Sequence, residues 1–557
     1  MRLINTETFA LEEFMGSGPA DLEYAILSHT WEDEEVTFQD FVRPDNAYRN
    51  NMKGFGKIVK MCELARRDGI KYGWVDTCCI DKSSSAELTE AINSMFNWYR
   101  DAKVCYAWLG DLPGFSEEPI DSALKKCRWF TRGWTLQELL APRHVEFYDR
   151  DWHLRGTKGE LKDLIAEASK IGPEVLESPE RLYDLPVAQR MSWAATRQTT
   201  RPEDIAYCLL GIFEVNMPLL YGEGERAFLR LQEEIAKETN DLSIFAWKVN
   251  NDDREGQKYH GVLASSPGEF RDCGSIRLID DPMFGPEWSL GSKGLRIETD
   301  IITGMNGSYL FRLNCKKGPR GAPISIWLKD HGRGVYSREK AGEYGDLQQE
   351  AARPVDKKSI HIVKRLSPSK SRELEGSHRG AFIFRHNFNT GTEFPFPGFP
   401  FSASVVLPWQ NWDPQRRMLH TQGLAEFSGM VYFTPRYESN GMGTDLNNAG
   451  EWFIVAFGRS QDELRPWITI HGKDDKYGLG LMEVGNKDIQ RMGAMAREKI
   501  GKPLTTTIKT FKGAPWKNLS VSINPDKLEG ETVFYIDIRS HEPARFLPKR
   551  QVRTGSF

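Results

Sequence analysis

In the first 150 residues, short apolar runs alternate with longer stretches whose apolar residues recur three and four apart. The run Tyr24–Leu27 predicts a strand that stops abruptly in Ser28, His29, Thr30 and Trp31, followed by the acids Glu32–Glu35. Phe55–Arg67 carries Ile58, Met61, Cys62 and Ala65 at helical spacing and closes at Asp68-Gly69. A second strand, Tyr72–Val75, ends in Asp76-Thr-Cys-Cys-Ile-Asp81-Lys82. The next helix opens at Ser83–Ser85, where Ser84 and Glu87 have capping-box spacing, and aligns Leu88, Ile92, Met95, Phe96 and Tyr99. Strand Val104–Leu109, helix Gly133–Leu140 and strand His144–Tyr148 follow. Repeated strand–helix units with short connections predict an α/β fold, a doubly wound parallel sheet with right-handed crossovers.

Residues 157–248 read as a helical extension, with amphipathic spacing over Glu160–Lys170, Glu203–Phe213 and Glu225–Glu238. Beyond Lys248 the pattern changes to short alternating runs set off by Gly, Pro, Asn and Asp. These include Leu295–Ile301, Tyr309–Leu313, Ile324–Leu328, Ala381–Phe384, Trp452–Phe457 and Val533–Ile538. They predict a β-rich domain over 249–557, an antiparallel sandwich or barrel, behind an α/β domain over 1–156.

Length fits two or three domains: the chain has 557 residues. A formal net charge of -4 gives no bulk attraction to nucleic acid or acidic membrane. No apolar run reaches membrane-spanning length, and Met1–Glu7 does not read as a signal peptide. The eight Cys are scattered inside apolar segments, which suits reduced thiols and a cytoplasmic setting. Cys78 and Cys79 are adjacent rather than at CxxC spacing, so no metal is expected.

Candidate chemistry gathers where the strands end. Ser28, His29 and Trp31 follow the first strand, Asp76, Cys79, Asp81 and Lys82 the second, Asp111 the third and Asp149 the fourth. A doubly wound sheet lines these ends along one edge, where it binds ligands. Each Asp taken singly has an ordinary alternative as a turn or cap residue. In Trp129-Phe-Thr-Arg-Gly-Trp134-Thr-Leu-Gln-Glu138, Trp134 and Glu138 stand one helical turn apart, on one face. Gly222-Glu-Gly224-Glu-Arg-Ala227 superficially fits a dinucleotide loop, but it lacks a surrounding βαβ unit and its acids would repel phosphate.

Tyr24–Trp31, Trp74–Lys82 and Trp129–Pro142 resemble the three signature blocks of the fungal heterokaryon-incompatibility (HET) domain. The resemblance continues through Arg190–Trp193, Arg201–Asp204, Met217–Arg226 and Ser243–Trp247. It implies an allorecognition effector whose HET domain triggers cell death, acting through self-association or with an incompatibility partner protein. A remoter similarity links HET to TIR domains. Tyr24–Phe41 resembles the first TIR strand and loop, and Trp134–Leu139 resembles the motif whose Glu is catalytic in NAD-cleaving TIR enzymes, although Thr135 stands where that motif has Cys. Carried over, Glu138 becomes the catalytic carboxylate and NAD the substrate. Trp31 or Trp134 would stack on a flat ring, Lys82 or Arg132 would meet phosphate, and Asp76 or Asp81 would orient a ribose; Ser28 and His29 complete the crevice. The other class of function consistent with the same domain is a non-catalytic signalling module.

Overall fold

The N-terminal sheet has seven strands: β1 (Arg2–Asn5), β2 (Leu11–Glu13), β3 (Tyr24–His29), β4 (Tyr72–Trp74), β5 (Val104–Trp108), β6 (Val145–Tyr148) and β7 (Leu154–Thr157). Their spatial order is β2-β1-β4-β3-β5-β6-β7. The structure is a computed structural model that describes residues 1–14, 22–114, 119–249, 257–303, 308–331, 334–345, 355–375, 380–385, 401–413, 416–421, 427–435, 453–459, 466–472, 505–509, 516–528 and 531–543. The four central strands β4, β3, β5 and β6 are parallel; β1 and β7 flank them antiparallel, and β2 pairs antiparallel with β1 at the outer edge. The first strand runs two residues longer than its apolar pattern indicates. Ser28 and His29 stay in register with Ala107 and Trp108, so the ladder carries the polar pair to the strand's end.

Helices lie on both faces of this sheet, as alternation along β4 shows. A Cβ on Gly73 would come within 2.5 Å of Met61, so Gly73 faces helix Phe55–Arg67. The next residue, Trp74, packs its ring 5.7 Å from that of Trp98 on helix Ser85–Asp101. Successive strand residues point to opposite faces, so the two helices sandwich the sheet. Ser84 caps the second helix by accepting from the Glu87 amide (3.4 Å), while the Glu87 carboxylate serves the Asp81 amide at 2.7 Å instead of closing the box.

The described residues divide into two compact units, 1–330 with 335–366 and 331–334 with 367–557. The change of pattern near Lys248 therefore does not coincide with the unit boundary, because the first β-rich sheet shares the N-terminal core. One apolar cluster runs from Leu3 to Ile362. Arg338, buried on a strand of that sheet, donates to the Phe245 carbonyl at 3.0 Å and stacks 3.9 Å over Trp247. Trp247 in turn donates to the Val262 carbonyl at 2.7 Å. In this sheet the strands Gly294–Thr303, Val355–Ile362, Val335–Glu339, Pro323–Asp330 and Ser308–Lys317 pair in sequence around a ring, and the first pairs again with the last. The ring is closed, with one parallel pair among antiparallel ones.

The helical extension is less regular than its spacing indicates. Arg226–Glu238 and Lys162–Ser169 are helical, but Glu203–Phe213 keeps only Asp204–Tyr207 as helix and continues as turns. That segment is buried nearly all round, so its apolar positions mark a core rather than one helix face. In the second unit, a four-stranded and a six-stranded sheet both contribute to one core, with Val431, Val455 and Ile470 from the first and Phe382, Val521 and Ile536 from the second. Trp452, expected to begin a strand there, lies outside the described residues, and the strand begins at Phe453.

Candidate active site at the end of the first parallel strand

Glu138 sits on the helix Thr135–Leu140 and is turned inward, 7% exposed. Ser28 Oγ donates to its Oε2 and accepts from Trp129 Nε1 at 2.8 Å. The three residues thus form a chain of donors that ends on the carboxyl. The sheet provides Ser28 at the end of β3, and the turn before the helix provides Trp129, buried edge-on against Phe130 and Phe147. Lys158 anchors the other end of the helix through Nζ, which donates to the Pro142 carbonyl and to the Leu139 carbonyl at 3.3 Å. Burial pushes the Lys158 ammonium down to about 8.

Burial also raises the Glu138 carboxyl, from its usual range to about 8. The Ser28 hydrogen bond opposes this, the Asp76 charge adds to it, and the Arg132 and Arg197 charges oppose it. Arg197 is fully interior. Its Nη1 donates to the Arg132 carbonyl at 2.8 Å and to Thr135 Oγ1 at 3.0 Å, and its Nη2 has no hydrogen-bond partner. Burial draws the Arg197 guanidinium down to about 10. The result is a carboxyl held protonated near neutral pH with two cations in reach of its ionised form.

A second group lies past the end of β3. The Trp31 indole N–H donates to Asp76 Oδ2 at 2.9 Å, and Lys82 Nζ lies 3.7 Å from the Trp31 ring centroid and 3.6 Å from Asp76 Oδ2. His29 faces the opposite side of the sheet from Ser28. Its Nε2 is 3.9 Å from Asp76 Oδ1 and 3.8 Å from Glu35 Oε2, and neither ring nitrogen has a hydrogen-bond partner. Burial lowers the His29 imidazole below its ordinary value, keeping it neutral. Glu35 is not a solvated loop acid as the run Glu32–Glu35 suggests. It pairs with buried Lys57 at 2.5 Å, and Glu32 pairs with the same lysine at 3.3 Å.

Most of the remaining expected residues take other partners, with Arg132, whose charge acts on Glu138, as the exception. Asp81 accepts from Gln39 Nε2 at 2.6 Å and from the amide and hydroxyl of Ser83, a turn-capping role. Asp111 receives the Arg128 amide at 2.7 Å, and Asp149 receives the amides of Asp151 and His153, both at 3.0 Å. Of the strand-end acids, Asp76 alone joins the aromatic and cationic groups. Trp134 hydrogen-bonds to Asp204. Arg132 is half-buried, with Nη1 3.5 Å from Thr200 Oγ1. The Gly222–Gly224 loop is an anion cradle filled from within, because Glu203 Oε1 accepts both glycine amides at 2.8 and 2.9 Å.

The sequence profile described as Heterokaryon incompatibility protein (HET) matches residues 24–116. A stretch of 228 residues is 47% identical to "Vegetative incompatibility protein HET-E-1" of Podospora anserina, covering 40% of this chain and 16% of that relative. Residues 24–116 carry a HET domain. Its matched range holds Ser28, Trp31, Asp76 and Lys82, while Glu138 lies beyond it. A second profile, a domain of unknown function, matches residues 226–289, the span joining the last helix of the extension to the β-rich sheet. Among the described residues no helix is long and apolar enough to cross a membrane. Around the site, Trp129, Arg197, Glu35 and Lys57 are the residues that sequence reading misses. Each acts on a partner far away in the chain, so no local pattern marks it.

Proposed function

We propose that this chain acts in vegetative incompatibility and that its HET domain hydrolyses NAD, with Glu138 as the catalytic carboxylate. The observation that carries this reading is the Glu138 carboxyl, buried against Ser28 at the carboxyl end of β3. The parallel strands run in the order second, first, third, fourth, the order of flavodoxin-like doubly wound sheets, which bind ligands where the order reverses between first and third. That point is the gap between β3 and β5, beside Ser28. The strand order also supports the TIR-like ancestry.

In the reaction, the nicotinamide–ribose bond breaks with its electron pair going to the pyridinium nitrogen, so nicotinamide leaves neutral. The ribose carbon becomes oxocarbenium-like, and water adds to it and releases a proton. A carboxylate beside the ribose stabilises that cation, as in glycosidases. The cationic pyridinium ring favours ionised Glu138, so substrate itself opposes the burial that keeps the carboxyl protonated. Ser28, fixed by Trp129, orients the carboxylate.

Purified chain incubated with NAD should release nicotinamide and ADP-ribose, and Glu138→Ala should abolish the release. Equal rates in the two proteins would overturn the enzymatic reading and leave signalling by assembly as the function of the domain.

A further inference from the structure

Trp31 is 47% exposed, yet it is held on two sides. Asp76 fixes its N–H edge and Lys82 covers one face at 3.7 Å. Among the described residues no aromatic ring packs against it, and the Asp76 charge is one of those that reach Glu138. An exposed indole locked by a carboxylate and an ammonium has already lost the freedom that a ligand would otherwise have to remove. We propose that Trp31 is a stacking platform for a neutral purine ring and that it takes the adenylate end of a nucleotide rather than a nicotinamide ring.

The argument for purine over pyridinium is electrostatic. Lys82 already places a cation on one face of the indole, so a second cation on the opposite face would meet its repulsion through the ring. A neutral, electron-rich purine meets none. Lys82, about a third exposed, is also placed to approach the phosphate attached to such a base. This extends the proposed reaction by assigning the second end of its substrate, and it rests on that reading only for the identity of the whole molecule.

The test is calorimetric binding of AMP, ADP-ribose, ATP and nicotinamide mononucleotide to the full chain, using wild type, Trp31→Ala, Trp31→Phe and Glu138→Gln. Stacking of a base on an aromatic ring predicts that Trp31→Ala weakens AMP binding by about tenfold or more, with Trp31→Phe within about threefold of wild type. Nicotinamide mononucleotide should be indifferent to Trp31→Ala. Tighter binding of ADP-ribose than ATP assigns the platform to a dinucleotide; the reverse order assigns it to a free nucleotide. No AMP binding by wild type, unchanged AMP affinity in Trp31→Ala, or an equal loss for nicotinamide mononucleotide would overturn the proposal. Equal NAD cleavage by wild type and Glu138→Gln would remove the proposed reaction and leave the AMP result standing.

Discussion

Replacing Glu138 with Gln should change the pH dependence of stability in a specific direction. The native carboxyl titrates at about 8, against a reference of 4.5. Between those values the folded chain holds a proton that the unfolded chain has released, so stability falls as pH rises through this window. The stabilisation is fully present below about 4.5 and lost above about 8. A shift of this size corresponds to on the order of 5 kcal/mol between the two ends. Gln presents an acceptor oxygen and a donor NH2 group, carries no charge, like the protonated carboxyl, and can still receive the Ser28 hydroxyl. Wild type and Glu138→Gln should therefore unfold at similar temperatures near pH 5. Near pH 9 the variant should be more stable by several degrees in the first unfolding transition, followed by calorimetry. Parallel stability profiles from pH 5 to pH 9 would refute the claim that this carboxyl is buried and protonated at neutral pH.

Other substitutions probe its surroundings. Asp76→Asn removes a charge that raises the Glu138 carboxyl, so the pH at which activity and stability change should move downward, as a titration of either would show. Arg197→Met removes an opposing cation and should move the same midpoint upward. Trp129→Phe deletes the donor to Ser28 Oγ and should cost about 1–3 kcal/mol, measured by denaturant unfolding. Glu203→Ala takes the acceptor from the Gly222 and Gly224 amides and should cost about 1–2 kcal/mol without moving the Glu138 midpoint.

The parts of this fold legible in the sequence are those where a single face decides the pattern. Helix Phe55–Arg67 matches its periodic apolar positions end to end, because one side packs on the sheet and the other meets solvent. Ser28 and His29 escaped the strand because they are polar, yet their backbones are held by β5 and their side chains by tertiary partners. The outer strands β1, β2 and β7, beyond the parallel set, are too short to show alternation. Glu203–Phe213 misleads in the opposite way, since a segment buried on every side shows apolar spacing without being a helix.

For the site, the Trp134–Glu138 spacing correctly sets Glu138 on a short helix but pairs it with the wrong neighbour. The helix turns Glu138 to Ser28 while Trp134 reaches Asp204. The partner that fixes Ser28 is Trp129, and the nearby buried cation is Arg197; both relations span long sequence separations. The acidic run after β3 reads as solvent-facing because its charges are dense, whereas Lys57 draws Glu35 and Glu32 to one buried ammonium.

The most direct test of the account is the pH dependence of kcat/KM for nicotinamide release from NAD by the full chain. A carboxyl that must ionise with a midpoint of about 8 predicts a rise of about tenfold between pH 7 and pH 9 in wild type. It also predicts no activity at either pH in Glu138→Gln. A flat wild-type profile, or a variant that releases nicotinamide at the wild-type rate, would contradict it.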